Sequence, residues 1–159
     1  MRPSTRSLVI MLLSATALLS AGGCAFDRDW RRMKRADFAA TDVTAKPSDP
    51  LAGRWEGRWV SASNGHNGKL RAIVTPVDAN TYRVEYDAMF FAFLRAGYGT
   101  NLTATRQPDG KINFEGQEDL GKLAGGVYRY RGSADGKSFT STYESSYDHG
   151  TFEMTRPKK

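Results

Sequence analysis

From Leu51 onward the chain returns again and again to one pattern: short runs in which apolar and polar residues alternate, divided by turn-forming pairs. Tyr82, Val84, Tyr86 and Ala88 interleave with Arg83, Glu85 and Asp87. Gly53, Trp55, Gly57 and Trp59 interleave with Arg54, Glu56 and Arg58. A period of two places the apolar members on one face of a strand and the polar members on the other, which suits antiparallel sheet with a single buried face. Between the runs stand Asn64-Gly65, Asn67-Gly68, Asp109-Gly110 and Asp135-Gly136, pairs that turn hairpins because they tolerate positive φ. The pattern predicts eight strands, near 52–61, 68–77, 80–89, 98–106, 111–117, 126–132, 137–145 and 150–156. About 110 residues can bury a real core without staples. Eight short strands joined by tight turns predict an all-β, antiparallel up-and-down barrel, because closure removes the exposed edges. An open sandwich is the alternative. A barrel of this size is either filled by its own side chains or holds one small ligand.

The run Met89–Leu94 (MFFAFL) breaks the alternation. A short continuous apolar run fits a buried strand end, a short helix over a barrel mouth, or an exposed lip. We read it as a lip or lid.

The N-terminus carries a different signal. Arg2 and Arg6 precede an apolar run, Leu8–Leu19, and the small residues Ser20, Ala21, Gly22 and Gly23 lead into Cys24. That order reads as a secretory signal. The run is shorter than the roughly 20 apolar residues a spanning helix needs. Cys24 is the only cysteine, so no disulfide can form within the chain. Ala21-Gly22-Gly23-Cys24 resembles the lipobox of bacterial lipoproteins, with Ala21 where the usual leucine stands. The resemblance implies cleavage of residues 1–23, lipid on Cys24 and residence in the cell envelope. Ala25, rather than Asp, after the cysteine implies the outer membrane of a double-membrane cell, facing the periplasm. Two or more acyl chains anchor a protein stably.

Removing Arg2 and Arg6 from 23 basic residues, against 17 acidic, leaves a modest net +4. Arg28, Arg31, Arg32, Lys34 and Arg35 cluster behind the cysteine with Phe26 and Trp30 among them. Such a segment suits an anionic membrane surface or a solvated tether with room for one helical turn. Asp27, Asp29 and Asp37 dilute it, and nucleic-acid binding is not expected of an exported protein. Pro47 and Pro50 favour extended chain, so residues 24–50 read as a flexible tether and 51–159 as the barrel domain.

Gly53-Arg54-Trp55 opens the first strand and Arg156 lies near the end of the last. This resembles lipocalins and related calycin-type barrels, in which a Gly-x-Trp starts the barrel and a late cation packs over the indole. The chain is shorter than most lipocalins and repeats the motif as Gly57-Arg58-Trp59. The resemblance implies structural roles for Gly53, Trp55 and Arg156, and a pocket for a small apolar molecule.

The remaining chemistry is sparse. His66 and His149 lie in turns, and two histidines without a third ligand make no recognisable metal site. Ser145 and Ser146 beside Asp148-His149 lack a nucleophile elbow. The glycine-rich stretch Gly116–Gly126 leads into a strand rather than the helix a phosphate cradle needs. No catalytic residue, metal or cofactor is expected, and we read the chain as no enzyme. The aromatics Trp59, Tyr82, Tyr86, Tyr98, Tyr128, Tyr130 and Tyr143 are candidates to line a ligand pocket. The competing reading is a filled core, with hydroxyls bonded to backbone or to each other. Binding of a small apolar or amphipathic ligand is the leading function, and an interaction module meeting an envelope protein is the alternative.

Overall fold

A computed structural model describes residues 24–34, 49–90, 94–122 and 125–158. The signal segment with its lipobox, the tether residues 35–48, and Phe91, Ala92 and Phe93 of the apolar run lie outside the described residues.

The eight alternating runs form β1 (Gly53–Ser61), β2 (Asn67–Pro76), β3 (Thr81–Phe90), β4 (Leu94–Arg106), β5 (Ile112–Asp119), β6 (Val127–Ala134), β7 (Ser138–Glu144) and β8 (His149–Thr155). Each pairs antiparallel with the next, and β8 returns to β1 to close the barrel. The sheet is therefore the closed up-and-down form, not an open sandwich.

Most strand ends fall close to the sequence expectation. The exception is β4, which begins at Leu94 instead of near 98. The apolar run is where β3 and β4 converge, pairing Phe90 with Leu94 and Ala88 with Ala96. Period two is hidden there because the described tip residues Phe90 and Leu94 are both half-buried.

Small residues let the wall close. A Cβ at Gly57 would run into the Glu153 carbonyl and, at 2.7 Å, the Met154 Cα across the β1–β8 seam. Gly132 stands likewise against Thr140 and the Phe114 ring. Glycine at such points permits the close backbone approach that a tightly curved sheet demands.

Strand direction separates two unlike ends. At the start of β1 the interior is solid, packed with Leu51, Trp55, Leu102, Ile112, Phe114 and Phe139, all buried. Trp55 Nε1 donates to the Leu51 carbonyl at 2.8 Å. The Arg156 guanidinium lies 3.8 Å from the Trp55 ring centroid. It also donates to the carbonyls of Pro50, Ala52 and Gly136, at 3.1, 2.8 and 3.1 Å. Asp49 completes this end. Its Oδ1 accepts the Leu51 and Ala52 N–H groups at 2.9 and 3.2 Å, and its Oδ2 accepts the Tyr82 hydroxyl at 2.7 Å and Arg106 at 3.0 Å. Burial and the Asp49 carboxylate beside it raise the Tyr82 hydroxyl to about 12.

Residues 24–34, expected as part of a flexible tether, form a helix, α1, docked on the outer wall. Phe26 and Trp30, one turn apart, stack with centroids 5.7 Å apart. The Arg71 guanidinium lies over both rings, at 5.1 and 5.2 Å, and Arg54 lies 5.0 Å over Trp30. Asp27 bridges Arg71 at 2.7 Å and Arg95 at 2.9 Å. Asp87 bridges the same two arginines at 2.8 and 2.9 Å. Hydrogen bonds from Arg95, then Arg71, outweigh burial and hold the Asp27 carboxyl down at about 2. This docking accounts for Arg54 and Asp87, outward-facing residues that are nonetheless buried. Alternation gave no sign of it, because charged residues on an outer face ordinarily meet water.

Replacing Arg156 with alanine removes the cation–π contact and leaves several carbonyls unpaired. The expected cost is about 3 kcal/mol, read as a lowered urea midpoint with unchanged slope. A loss within about 0.5 kcal/mol, the range of ordinary surface changes, would mean the plug does not hold this end.

Candidate functional site

The β1–β2, β3–β4, β5–β6 and β7–β8 connections all lie at the opposite end, which forms the barrel mouth. Here the interior is not filled. A pocket of about 300 Å³ opens between the strand ends, roughly ten waters' worth at about 30 Å³ each.

Its walls come from residues that period two turns inward. Trp59 stands near the end of β1, its Nε1 donating to the Met89 carbonyl at 3.1 Å and its ring 4.7 Å from Phe90. Tyr98 comes from β4, Tyr128 and Tyr130 from β6, Tyr143 from β7 and Phe152 from β8. Leu120 of the β5–β6 connection and Asp148 of the β7–β8 turn complete the rim. The lining is mostly carbon. Asp148 accepts the Ser61 hydroxyl at 2.6 Å and the Tyr143 hydroxyl at 3.1 Å.

The polar accounting beneath the mouth does not balance. Tyr86, Tyr98 and Tyr130 stack in a trio, with centroids 5.1 Å apart for Tyr86–Tyr98 and 6.0 Å for Tyr86–Tyr130. Tyr86 is 1% exposed and Tyr130 2%; among the described residues the Tyr86 hydroxyl has no hydrogen-bond partner, while the Tyr130 hydroxyl meets that of Tyr98. An unpaired buried hydroxyl costs about 1–3 kcal/mol. Burial drives the pKa values of Tyr86, Tyr98 and Tyr130 upward, and burial followed by the Asp148 charge does the same for Tyr143. All four are neutral near pH 7. They offer O–H donors and oxygen acceptors, not charge.

Of the seven aromatics expected to line a pocket, Trp59, Tyr98, Tyr128, Tyr130 and Tyr143 surround this one. Tyr86 lies against Tyr98 and Tyr130 rather than on the pocket wall. Tyr82 is at the far end, bonded to Asp49, and has no part in the site. Gly53, Trp55 and Arg156 belong to the closed end. Cys24 is exposed at the first turn of α1. Leu120 and the rim position of Asp148 carried no alternation signal, since both lie outside the strands.

The other sequence candidates lie in turns or at the strand ends beside them. His149 Nδ1 lies 2.9 Å from the Ser63 hydroxyl, and the His66 backbone closes the β1–β2 turn through Ser61. Ser145 accepts from the Tyr147 and Asp148 N–H groups, the bonding of a turn and not of a nucleophile. Gly121, Gly125 and Gly126 adopt positive φ in the β5–β6 connection. Among the described residues no three His, Cys, Asp or Glu side chains could hold a metal together. A larger groove of about 730 Å³ runs along the outer wall beside α1. It is polar, and its Asp27, Arg71, Asp87 and Arg95 are already paired with one another.

No protein-family model matches the chain, and no curated protein is significantly similar to it.

In ligand-free protein, changing Tyr86 to phenylalanine removes an unpaired buried hydroxyl at almost constant shape. The expected result is a gain of about 1 kcal/mol in unfolding free energy, measured by denaturant titration. A loss of that size would show that the hydroxyl is partnered.

Proposed function

We propose that the chain is a membrane-anchored envelope lipoprotein whose barrel binds one small amphipathic molecule and performs no reaction on it. The anchor is lipid on Cys24, and the envelope location is the outer membrane facing the periplasm, as the lipobox-like segment implies. One observation carries the binding reading: an apolar pocket at the mouth is edged by the hydroxyl-bearing rings of Tyr98, Tyr128, Tyr130 and Tyr143. Apolar walls with a few convergent polar groups suit a ligand with a carbon body and a small polar end. The body meets Trp59, Tyr128 and Phe152, and the polar end points inward to Tyr130 and Tyr98. The pocket's size limits the ligand to a single chain or ring system.

The reading as a protein-interaction lip has weaker support. Phe90 is turned against Trp59 at the pocket wall, so this part of the apolar run serves the cavity.

The test is native mass spectrometry of residues 24–159 taken gently from the source envelope. The expected spectrum shows an added mass of a few hundred daltons beyond the Cys24 lipid, lost on unfolding. That mass is depleted in the Tyr98→Phe/Tyr130→Phe double variant. A folded barrel carrying nothing, in wild type and variant alike, would overturn the proposal.

A further inference from the structure

The direction of α1 relates the anchor to the pocket. β1 runs from the closed end to the mouth, so Arg54 near its start lies towards the closed end. β4 runs from the mouth inward, so Arg95 lies one residue pair from the tip pair Phe90–Leu94. Trp30 sits against Arg54, whereas Asp27 bonds Arg95. Read backwards along the helix, the contacts therefore climb towards the mouth. Cys24 is three residues beyond Asp27, about 4.5 Å further at 1.5 Å per residue. The attachment point for the lipid thus lies on the mouth side of the docked helix.

The docking is built to keep that direction. Asp27 and Asp87 share Arg71 and Arg95 in a part-buried four-charge cluster, and the Phe26–Trp30 stack lies under guanidinium groups. A loose tether would let the barrel tumble beneath its anchor; this contact fixes it.

We infer that α1 holds the barrel mouth-first against the bilayer in which Cys24 is anchored, so that the pocket opens onto the headgroup layer. The occupant of the mouth-side surface is a lipid surface. Phe90, Leu94 and Leu120 bring half-buried apolar side chains to that rim. Arg28, in the helix half nearer the mouth, stays exposed beside Asp29. A bilayer-borne amphiphile then reaches the pocket without crossing open water. The inference rests on the reading of Cys24 as the lipid-bearing residue.

Amide hydrogen exchange tests it, on the lipidated chain from Cys24 in phosphatidylethanolamine–phosphatidylglycerol vesicles and in lipid-free detergent. In vesicles, exchange at the mouth connections 62–66, 120–122 and 145–148 slows by roughly threefold or more. The closed-end turns 78–80, 107–111 and 135–137 keep their detergent rates. Asp27→Arg sets like charge against Arg71 and Arg95, and abolishes the difference between the ends while the strand amides stay protected. Equal slowing at both ends, slowing at the closed end alone, or no slowing would each overturn the inference. The mass of the Cys24 peptide, read from the same digest, reports separately on the anchor. If that cysteine is bare, coupling its thiol to a maleimide-bearing lipid puts the same geometry to the same measurement.

Discussion

The β1–β8 seam is the contact on which the rest depends. Pairing from Glu56–Thr155 to Ser61–Gly150 turns a meander with two exposed edges into a cylinder with none. It requires small residues at Gly57 and Gly150, where any side chain would meet backbone across the seam. It also carries the chain's last residues back beside its first strand. Arg156 reaches Trp55 and the carbonyls of Pro50 and Ala52 only because β8 lies next to β1. The plug at the closed end is thus a consequence of closure.

The two ends treat polar groups in opposite ways. At the closed end Trp55, Tyr82, Asp49 and Arg156 all find partners, and the space between them is full. Under the mouth, Tyr86 is as deeply buried, yet among the described residues its hydroxyl is unpaired. A core selected only for stability would carry phenylalanine there, at a gain in free energy. The outer wall adds a third element: a short helix pinned by four charges, which ties the direction of the chain's start to the direction of the mouth.

Much of this was legible in the residues themselves. Alternation located every strand, because each has one face in the core and one in water. The Gly-x-Trp opening with a late arginine pointed to the contact between Trp55 and Arg156. Alternation says which way a side chain points but not how far along the axis it sits. Tyr82 and Tyr143 therefore read alike, although they occupy opposite ends of the barrel. The helix was missed for a different reason. Asp27, Arg71, Asp87 and Arg95 are each unremarkable surface residues in their own segments, and only the curved wall brings them together. The β4 start was missed because two strand ends abut in one apolar run.

The central claim is that the mouth pocket holds a small molecule whose polar end meets the Tyr98 and Tyr130 hydroxyls. A high-resolution crystal structure of the chain carrying the molecule it brings from its own envelope tests this most directly. The account predicts continuous density in the pocket between Trp59, Tyr128 and Phe152. A polar atom of that density would lie within hydrogen-bond distance of the Tyr98 or Tyr130 hydroxyl. A mouth collapsed onto itself, with no such density, would contradict it.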